Sequence, residues 1–413
     1  MSGPGWSRRM LAITPAAIVV GVGCSLLLLV VSWLSETLRH GLWESLPRAW
    51  GFDGSTWWWI MLVLTATGLA VGLVVAYVPG HAGPDPATEE LIGPPHPAST
   101  VPSVLLAATL ALAGGVSLGP ENPITAANVA LACALGVAWR GRDSTPVWVG
   151  LAGAGTIGAM FGSPVAAALV LSELPGTDPR EPLWDRLFAP LIAACAGSIT
   201  TLALAQPVFS VDVPPYPGFR PVDIVSAGVI AVIAGLVGIA MVEVFPKMYG
   251  LFRRLRHPVA ALTCGGLVLG GLGVIGGQIT LFKGLSEMKE LVAGAAGYPT
   301  VNLVVILLVK SVAVVVAASC GFRGGRIFPA IFIGAAVGLV AVRLVPGVPL
   351  GLAIGCGVLG VVLAITHQGW LSLLLAATVV MDARLLLPLC IAVLPAWLLI
   401  RGRPGMVIGK MTG

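Results

Sequence analysis

The chain has 413 residues, enough for two or three ordinary domains, yet only 10% are charged while 57% are hydrophobic and mean hydropathy is +0.97. An ordinary soluble domain carries about a quarter charged residues, so a soluble globular protein and a disordered one are both excluded. The net charge of +5 sits in short clusters between apolar runs, which argues against a nucleic-acid partner and for membrane orientation.

The first apolar run, roughly 11–34, follows Arg8 and Arg9. It is too long for a cleavable signal peptide and lacks a small-residue cleavage site, so it reads as the first spanning helix. Further apolar runs follow at about 57–79, 101–118, 124–139, 147–172, 187–205, 222–246, 259–282, 301–319, 327–342, 349–366 and 370–400. At roughly 20 apolar residues per span, this is an all-α polytopic membrane protein. The 54 Gly and 32 Pro break several runs, predicting a bundle of short, tilted and broken helices packed through small residues. Lys247, Arg253, Arg254 and Arg256 crowd one mid-chain loop, and Arg401, Arg403 and Lys410 close the chain. The positive-inside rule places these segments and both termini in the cytoplasm, with the protein in the cell membrane. The loop after residue 78 holds Asp85, Glu89 and Glu90 without a nearby Lys or Arg, so charge does not place it. The seven cysteines stand singly and His81 and His367 are isolated, so neither a metal nor another cofactor is expected.

The segment Gly119–Pro123 precedes one apolar run, and Gly325–Pro329 precedes another, at an offset of 206 residues. The same offset carries Gly162–Pro164 onto the neighbourhood of Gly369 and Trp370. Two segments in register predict an inverted structural repeat: a first membrane repeat over 1–205, an external linker over 206–221 and a second, inverted repeat over 222–413.

Within 101–139 Glu121 is the single ionisable residue. A carboxylate at that depth costs several kcal/mol on most estimates and marks a functional site by default. Gly119 permits a tight turn, Pro120 and Pro123 favour a helix start, and free amides at such a start attract negative charge. A simple surface turn with Glu121 solvated is the alternative. A second start at Gly325 in the opposite half would bring two positive helix ends together, as discontinuous transporter helices do. Lys310 either neutralises a carboxylate or snorkels to the interface. Arg323 and Arg326 either enter an anion vestibule or meet lipid phosphates, and Glu173 reads as a helix-end charge more than a proton acceptor.

These residues resemble the CLC chloride channel and transporter family over nearly the whole chain. Gly80–Pro86 (Gly-His-Ala-Gly-Pro-Asp-Pro) is similar to the family's Gly-Ser-Gly-Ile-Pro anion loop, Gly119–Pro123 to its Gly-Lys/Arg-Glu-Gly-Pro segment, and Gly325–Pro329 to its Gly-x-Phe-x-Pro segment. The ordered set is closer still to a divergent bacterial branch labelled only as ion-transport proteins. The resemblance implies a homodimer in which each subunit has its own anion path, with no metal or nucleotide. It makes Glu121 the gate and gives anion-binding positions at His81, Ala82, Gly83, Gly119, Pro120, Asn122, Gly325, Arg326, Ile327 and Phe328. It also puts the Asp85 loop on the cytoplasmic side, as part of the inner vestibule. An ionised carboxylate there occupies an anion position, and protonation frees it to admit chloride; in exchangers the same group carries the proton.

Departures accompany the matches. Ala82 replaces the family's serine and Ile327 its phenylalanine; Glu173 aligns with the first of an acidic pair and Leu174 with the second, the internal proton acceptor. The inner-gate tyrosine falls near Met406, with the last helix cut short by Gly413. The expected function is therefore transport of chloride or a similar small anion, leaning to uncoupled, with water or Asp85 as substitute proton carriers. Transport of fluoride, nitrate or an organic anion on the same scaffold, with or without protons, is the second reading, since a site short of hydroxyls need not prefer chloride. A membrane-embedded enzyme using Glu121 or Asp382 is a third and finds no paired carboxylates, metal cluster or nucleophile motif in support.

Overall fold

The computed structural model describes residues 4–140, 144–174, 182–206 and 209–409, with side chains at 4–10 and 140 outside that description. Arg8, Arg9, Pro207, Lys410 and Gly413 therefore lie wholly or in their side chains outside the described residues. The helices run α1 (Pro4–His40), α2 (Leu46–Ala49), α3 (Trp57–Tyr77), α4 (Val101–Ala113), α5 (Glu121–Arg140), α6 (Thr145–Phe161), α7 (Pro164–Glu173) and α8 (Leu183–Leu204). After the linker come α9 (Pro221–Arg253), α10 (Pro258–Gly276), α11 (Leu285–Ala293), α12 (Thr300–Cys320), α13 (Ile327–Leu344), α14 (Leu350–Thr366), α15 (Gly369–Val380) and α16 (Leu386–Ile400). Among the described residues nine helical segments are long and apolar enough to cross a membrane, and five more apolar helices are shorter. This is a multi-pass membrane protein.

Proline sets many of the starts: α4, α6, α7, α9 and α10 each carry one in the first two positions, where its missing N–H leaves no helical bond unmade. The run expected as a single element over 147–172 divides at Gly162, whose φ of 62° ends α6 in the left-handed region that glycine enters without penalty. The run expected over 370–400 divides likewise at Met381 and Asp382. Amphipathic α11 escaped a search for apolar runs, because it buries one stripe only, through Glu287, Met288, Leu291 and Val292.

The second half repeats the packing of the first. α1 lies against α6 and α8, as α9 lies against α14 and α16; α5 meets α6, as α13 meets α14; α3 and α10 pair with each other across the halves. Small residues set these approaches. A Cβ on Gly197 would meet the Gly155 carbonyl, and one on Gly360 would meet that of Ala231, so the backbones touch without intervening side chains.

The linker is fastened at several points, among them the Val211 N–H on the Val379 carbonyl at 2.9 Å. The Tyr216 hydroxyl donates to Asp223 Oδ2 at 2.6 Å and Arg220 Nη2 to Asp223 Oδ1 at 2.7 Å, while the Tyr216 N–H donates to Asp382 Oδ2 at 2.8 Å. Burial and the Asp223 carboxylate push the Tyr216 phenol up to about 12. Asp382 is thus a tether to the linker. Hydrogen bonds from Arg384 and from the Tyr216 amide hold its carboxyl down at about 2, against an ordinary 3.8. A depressed acid stabilises the fold above its ordinary value and loses that contribution as pH falls through the folded one. Asp382→Asn is therefore expected to speed amide exchange over 211–220 at neutral pH, whereas wild type should show that loosening only as pH approaches 2. Equal exchange in the two proteins at neutral pH would remove the tether.

Candidate functional site

The starts of α5 and α13 meet through one backbone pairing. The Gly119 N–H donates to the Gly325 carbonyl at 2.9 Å and the Gly325 N–H to the Gly119 carbonyl at 2.7 Å, an isolated antiparallel bridge between the two motifs. Their positive helix ends converge there. Glu121, fully buried, extends from the first residue of α5 to the first turn of α13, where its Oε1 accepts from the N–H of Ile327 at 2.6 Å and of Phe328 at 3.1 Å. Its Oε2 has no partner among the described residues. The alternative of a solvated surface turn is excluded. A Cβ on either Gly119 or Gly325 would meet this carboxylate, so the two glycines make the room in which it sits.

The loop before Gly119 is held along its length. Trp43 Nε1 donates to the Ala113 carbonyl at 3.0 Å, the Phe282 N–H to the Gly115 carbonyl at 3.0 Å, and the Ser117 hydroxyl to the Thr280 carbonyl at 2.8 Å. Lys310, fully buried in α12, donates to the carbonyls of Thr280, Leu281 and Phe282 at 3.0, 2.8 and 2.8 Å. It neither pairs with a carboxylate nor snorkels, correcting both expectations. On the α13 side the Phe328 ring stacks against Phe161 and Phe209, at 5.9 and 6.0 Å between centroids, and those two rings also meet each other at 6.1 Å. None of Trp43, Phe161, Phe209 or Thr280 carried a sequence signal, because each acts through a contact distant in the chain.

The Gly80–Gly83 loop is closed by its own hydrogen bonds and by Arg323. Each amide expected to face an anion already donates within reach: His81 to the Val78 carbonyl at 2.9 Å, Ala82 to Ser103 Oγ at 3.1 Å and Gly83 to the Gly80 carbonyl at 2.9 Å. Arg323 takes the carbonyls of His81, Ala82 and Gly83 at 3.3, 2.8 and 3.0 Å. The His81 ring is exposed and bonds Val75. These three residues form a closed turn around a guanidinium, and not an open nest of donors. Arg323 and Arg326 are both buried. Arg326 Nη2 holds the carbonyls of Pro86 and Glu89 at 3.0 and 3.3 Å, and its Nη1 has no partner among the described residues.

A cavity of about 430 Å³ adjoins the start of α13, lined by Asn122, Arg326 and Ile327 and, further along, by Glu173, His367 and Met406. Glu173 Oε1 accepts from the Trp370 N–H at the start of α15, 2.6 Å away; it is a helix-end charge, and a second case of a carboxylate from one half capping a helix of the other. Met406 is fully buried, its N–H on the Ile365 carbonyl at 3.1 Å. Beside this cavity Glu89 pairs with His96 at 2.8 Å; burial pushes the Glu89 carboxyl up, and the imidazole opposes that. No group of three metal-ligating side chains occurs among the described residues.

Residues 56–401 match the family described as voltage gated chloride channel. The chain belongs to that family. Over 404 residues it is 47% identical to the proteins called "Putative ion-transport protein YfeO" of Escherichia coli (strain K12 / DH10B) and Shigella boydii serotype 18, covering 98% of this chain and 96% of each relative. In three dimensions it is similar to a slow cyanobacterial Cl⁻/H⁺ antiporter, with TM-score 0.81 and 16% identity over 94% of this chain and 95% of the other. It is also similar to a CLC-type fluoride/proton antiporter, with TM-score 0.67 and 21% identity over 96% and 95%. As a voltage-gated chloride channel family member of inverted-repeat fold, the chain is a membrane anion-transport protein and not an enzyme.

Proposed function

We propose that the protein carries chloride or a similar small inorganic anion through a pore in each subunit, gated by Glu121. The observation that carries this reading is the Glu121 carboxylate seated on the Ile327 and Phe328 amides. An anion reaching that position takes over the same two donors once protonation weakens the carboxylate's hold. Asn122 and the free Nη1 of Arg326 face the adjoining space, while Gly119, Pro120 and Gly325 form the neck. Anion efflux from liposomes holding purified protein, with proton movement recorded alongside, tests the reading. Absence of flux for every halide at acidic and neutral pH would sink it.

The neck gives a second test. Gly119 and Gly325 are both outside the positive-φ residues, so alanine fits the backbone, and the atoms nearest a Cβ at Gly325 belong to the Glu121 side chain. Gly325→Ala is expected to fold normally and to dislodge the carboxylate. Its flux should lose most of the wild-type pH dependence while keeping anion selectivity. A wild-type pH profile in Gly325→Ala would mean that the seat of the carboxylate does not set the gate.

The second reading is transport of another anion, such as fluoride, nitrate or an organic anion. It is favoured by the lack of a side-chain hydroxyl at Ala82 and Met406, and by the fluoride/proton antiporter among the proteins of similar fold. A competition series in which chloride is the clear winner would remove it. The proposal further takes the protein as a homodimer in the cell membrane, in contact with the lipid bilayer, with both termini cytoplasmic. Its repeats span 1–205 and 222–413 around an external linker, 206–221. Protons are the co-substrate if an imposed chloride gradient drives them uphill.

A further inference from the structure

A second cavity, of about 390 Å³, lies away from Glu121, between the α9–α10 loop and the end of α12; its polar lining is Asp85, Arg253, Arg256, His257, Ser319 and Arg323. Three guanidiniums thus face one carboxylate, and that carboxylate is engaged: Asp85 Oδ1 accepts from the Ala87 N–H at 3.0 Å and Oδ2 from the Tyr249 hydroxyl at 3.1 Å. The His257 ring accepts the Val259 N–H on Nδ1 at 3.3 Å, which leaves its proton on Nε2 as a donor. Arg256 holds a φ of 54°, a conformation bulky residues seldom adopt.

The deciding observation is Ser319. It is 2% exposed, it lines the cavity, and its hydroxyl has no partner among the described residues. A serine inside a helix ordinarily bonds a carbonyl one turn back, as Ser311 does to Leu307 at 2.7 Å. A buried hydroxyl left idle beside uncompensated positive charge calls for an acceptor from outside the chain.

We propose that this cavity, whose lining includes none of Glu121, Ile327 and Phe328, binds a phosphate group. The space exceeds what a halide fills. Several guanidiniums with a hydroxyl match the many oxygens of phosphate, whether on a lipid headgroup beside a basic juxtamembrane loop or free in solution. Occupancy bears on the transport domain through Arg323, whose guanidinium also holds the His81–Gly83 carbonyls.

The test is thermal unfolding of the full chain in neutral detergent, at constant ionic strength, titrated with short-chain phosphatidic acid or with inorganic phosphate. Wild type, the Arg253→Gln/Arg256→Gln double variant and Ser319→Ala are compared. Ligand should raise the wild-type midpoint in a concentration-dependent way, and each variant should need about tenfold more of it. Without ligand, Ser319→Ala should unfold at or above the wild-type midpoint, since it removes an idle polar group. A response to phosphatidic acid alone assigns the site to a lipid headgroup; equal responses assign it to phosphate itself. If neither ligand shifts wild type, or the double variant responds as wild type does, the site does not exist. Because no flux is measured, this result is independent of the role proposed for Glu121.

Discussion

Glu121→Gln is expected to raise anion flux at neutral pH by about ten- to a hundredfold and to flatten its dependence on pH. The carboxylate and the anion compete for the same two amides, those of Ile327 and Phe328. Hydrogen bonds to a charged group contribute about 1.5–3 kcal/mol each, roughly twice a neutral bond. Glutamine keeps the oxygen and loses the charge, so the competition falls by about 1.5–3 kcal/mol, or ten- to a hundredfold in occupancy of the anion position. The sign is fixed by the same argument: in wild type, acid should increase flux by neutralising the competitor, and the amide variant has nothing left to neutralise. Flux that stays pH-dependent in Glu121→Gln would move the gate elsewhere. If proton movement against a chloride gradient also vanishes with the substitution, Glu121 is the proton carrier as well as the gate.

Much of this was legible before any coordinates. A lone carboxylate in an apolar stretch, placed between Gly and Pro, marks Glu121, and a repeated Gly-x-x-x-Pro at an offset of 206 points to its partner helix in a second half. The bridge from Gly119 to Gly325 spans that same offset. What the sequence could not carry was the state of each backbone donor. The Gly80–Gly83 loop has the glycines of an anion nest, but Ser103 and Arg323 consume its amide and carbonyl groups, and both lie in other elements. Lys310 was misread for a related reason. A buried ammonium suggests a carboxylate, whereas three carbonyls at the irregular turn after α10 satisfy it, and a turn with unpaired carbonyls has no signature in side-chain identity.

Lys310→Met should cost about 3–5 kcal/mol of stability, the range for removing one partner from a buried charged network. Lys247→Met, on an exposed face, should stay within about 0.5 kcal/mol. Methionine matches the length and fills the space, and it avoids the desolvation of an ammonium. It also leaves the carbonyls of Leu281 and Phe282 without a donor in a dry interior, that of Thr280 keeping only the Ser117 hydroxyl, and each buried unsatisfied group costs about 1–3 kcal/mol. The second of these effects is the larger, because two groups are orphaned for one charge removed. The consequence reaches the gate. Thr280 and Phe282 are the residues that hold Ser117 and Gly115, and that loop sets Gly119 against Gly325. The Lys310 ammonium also lies 5.1 Å from the ring of Phe332 in α13, so it touches both sides of the bridge. Ser117 and Lys310 share the Thr280 carbonyl, so Ser117→Ala and Lys310→Met should not be additive, with a coupling of about 0.5–3 kcal/mol that a double-mutant cycle on thermal unfolding would read. Additive effects, or a Lys310→Met protein that unfolds with wild type, would show that the ammonium does not support the Gly115–Gly119 loop.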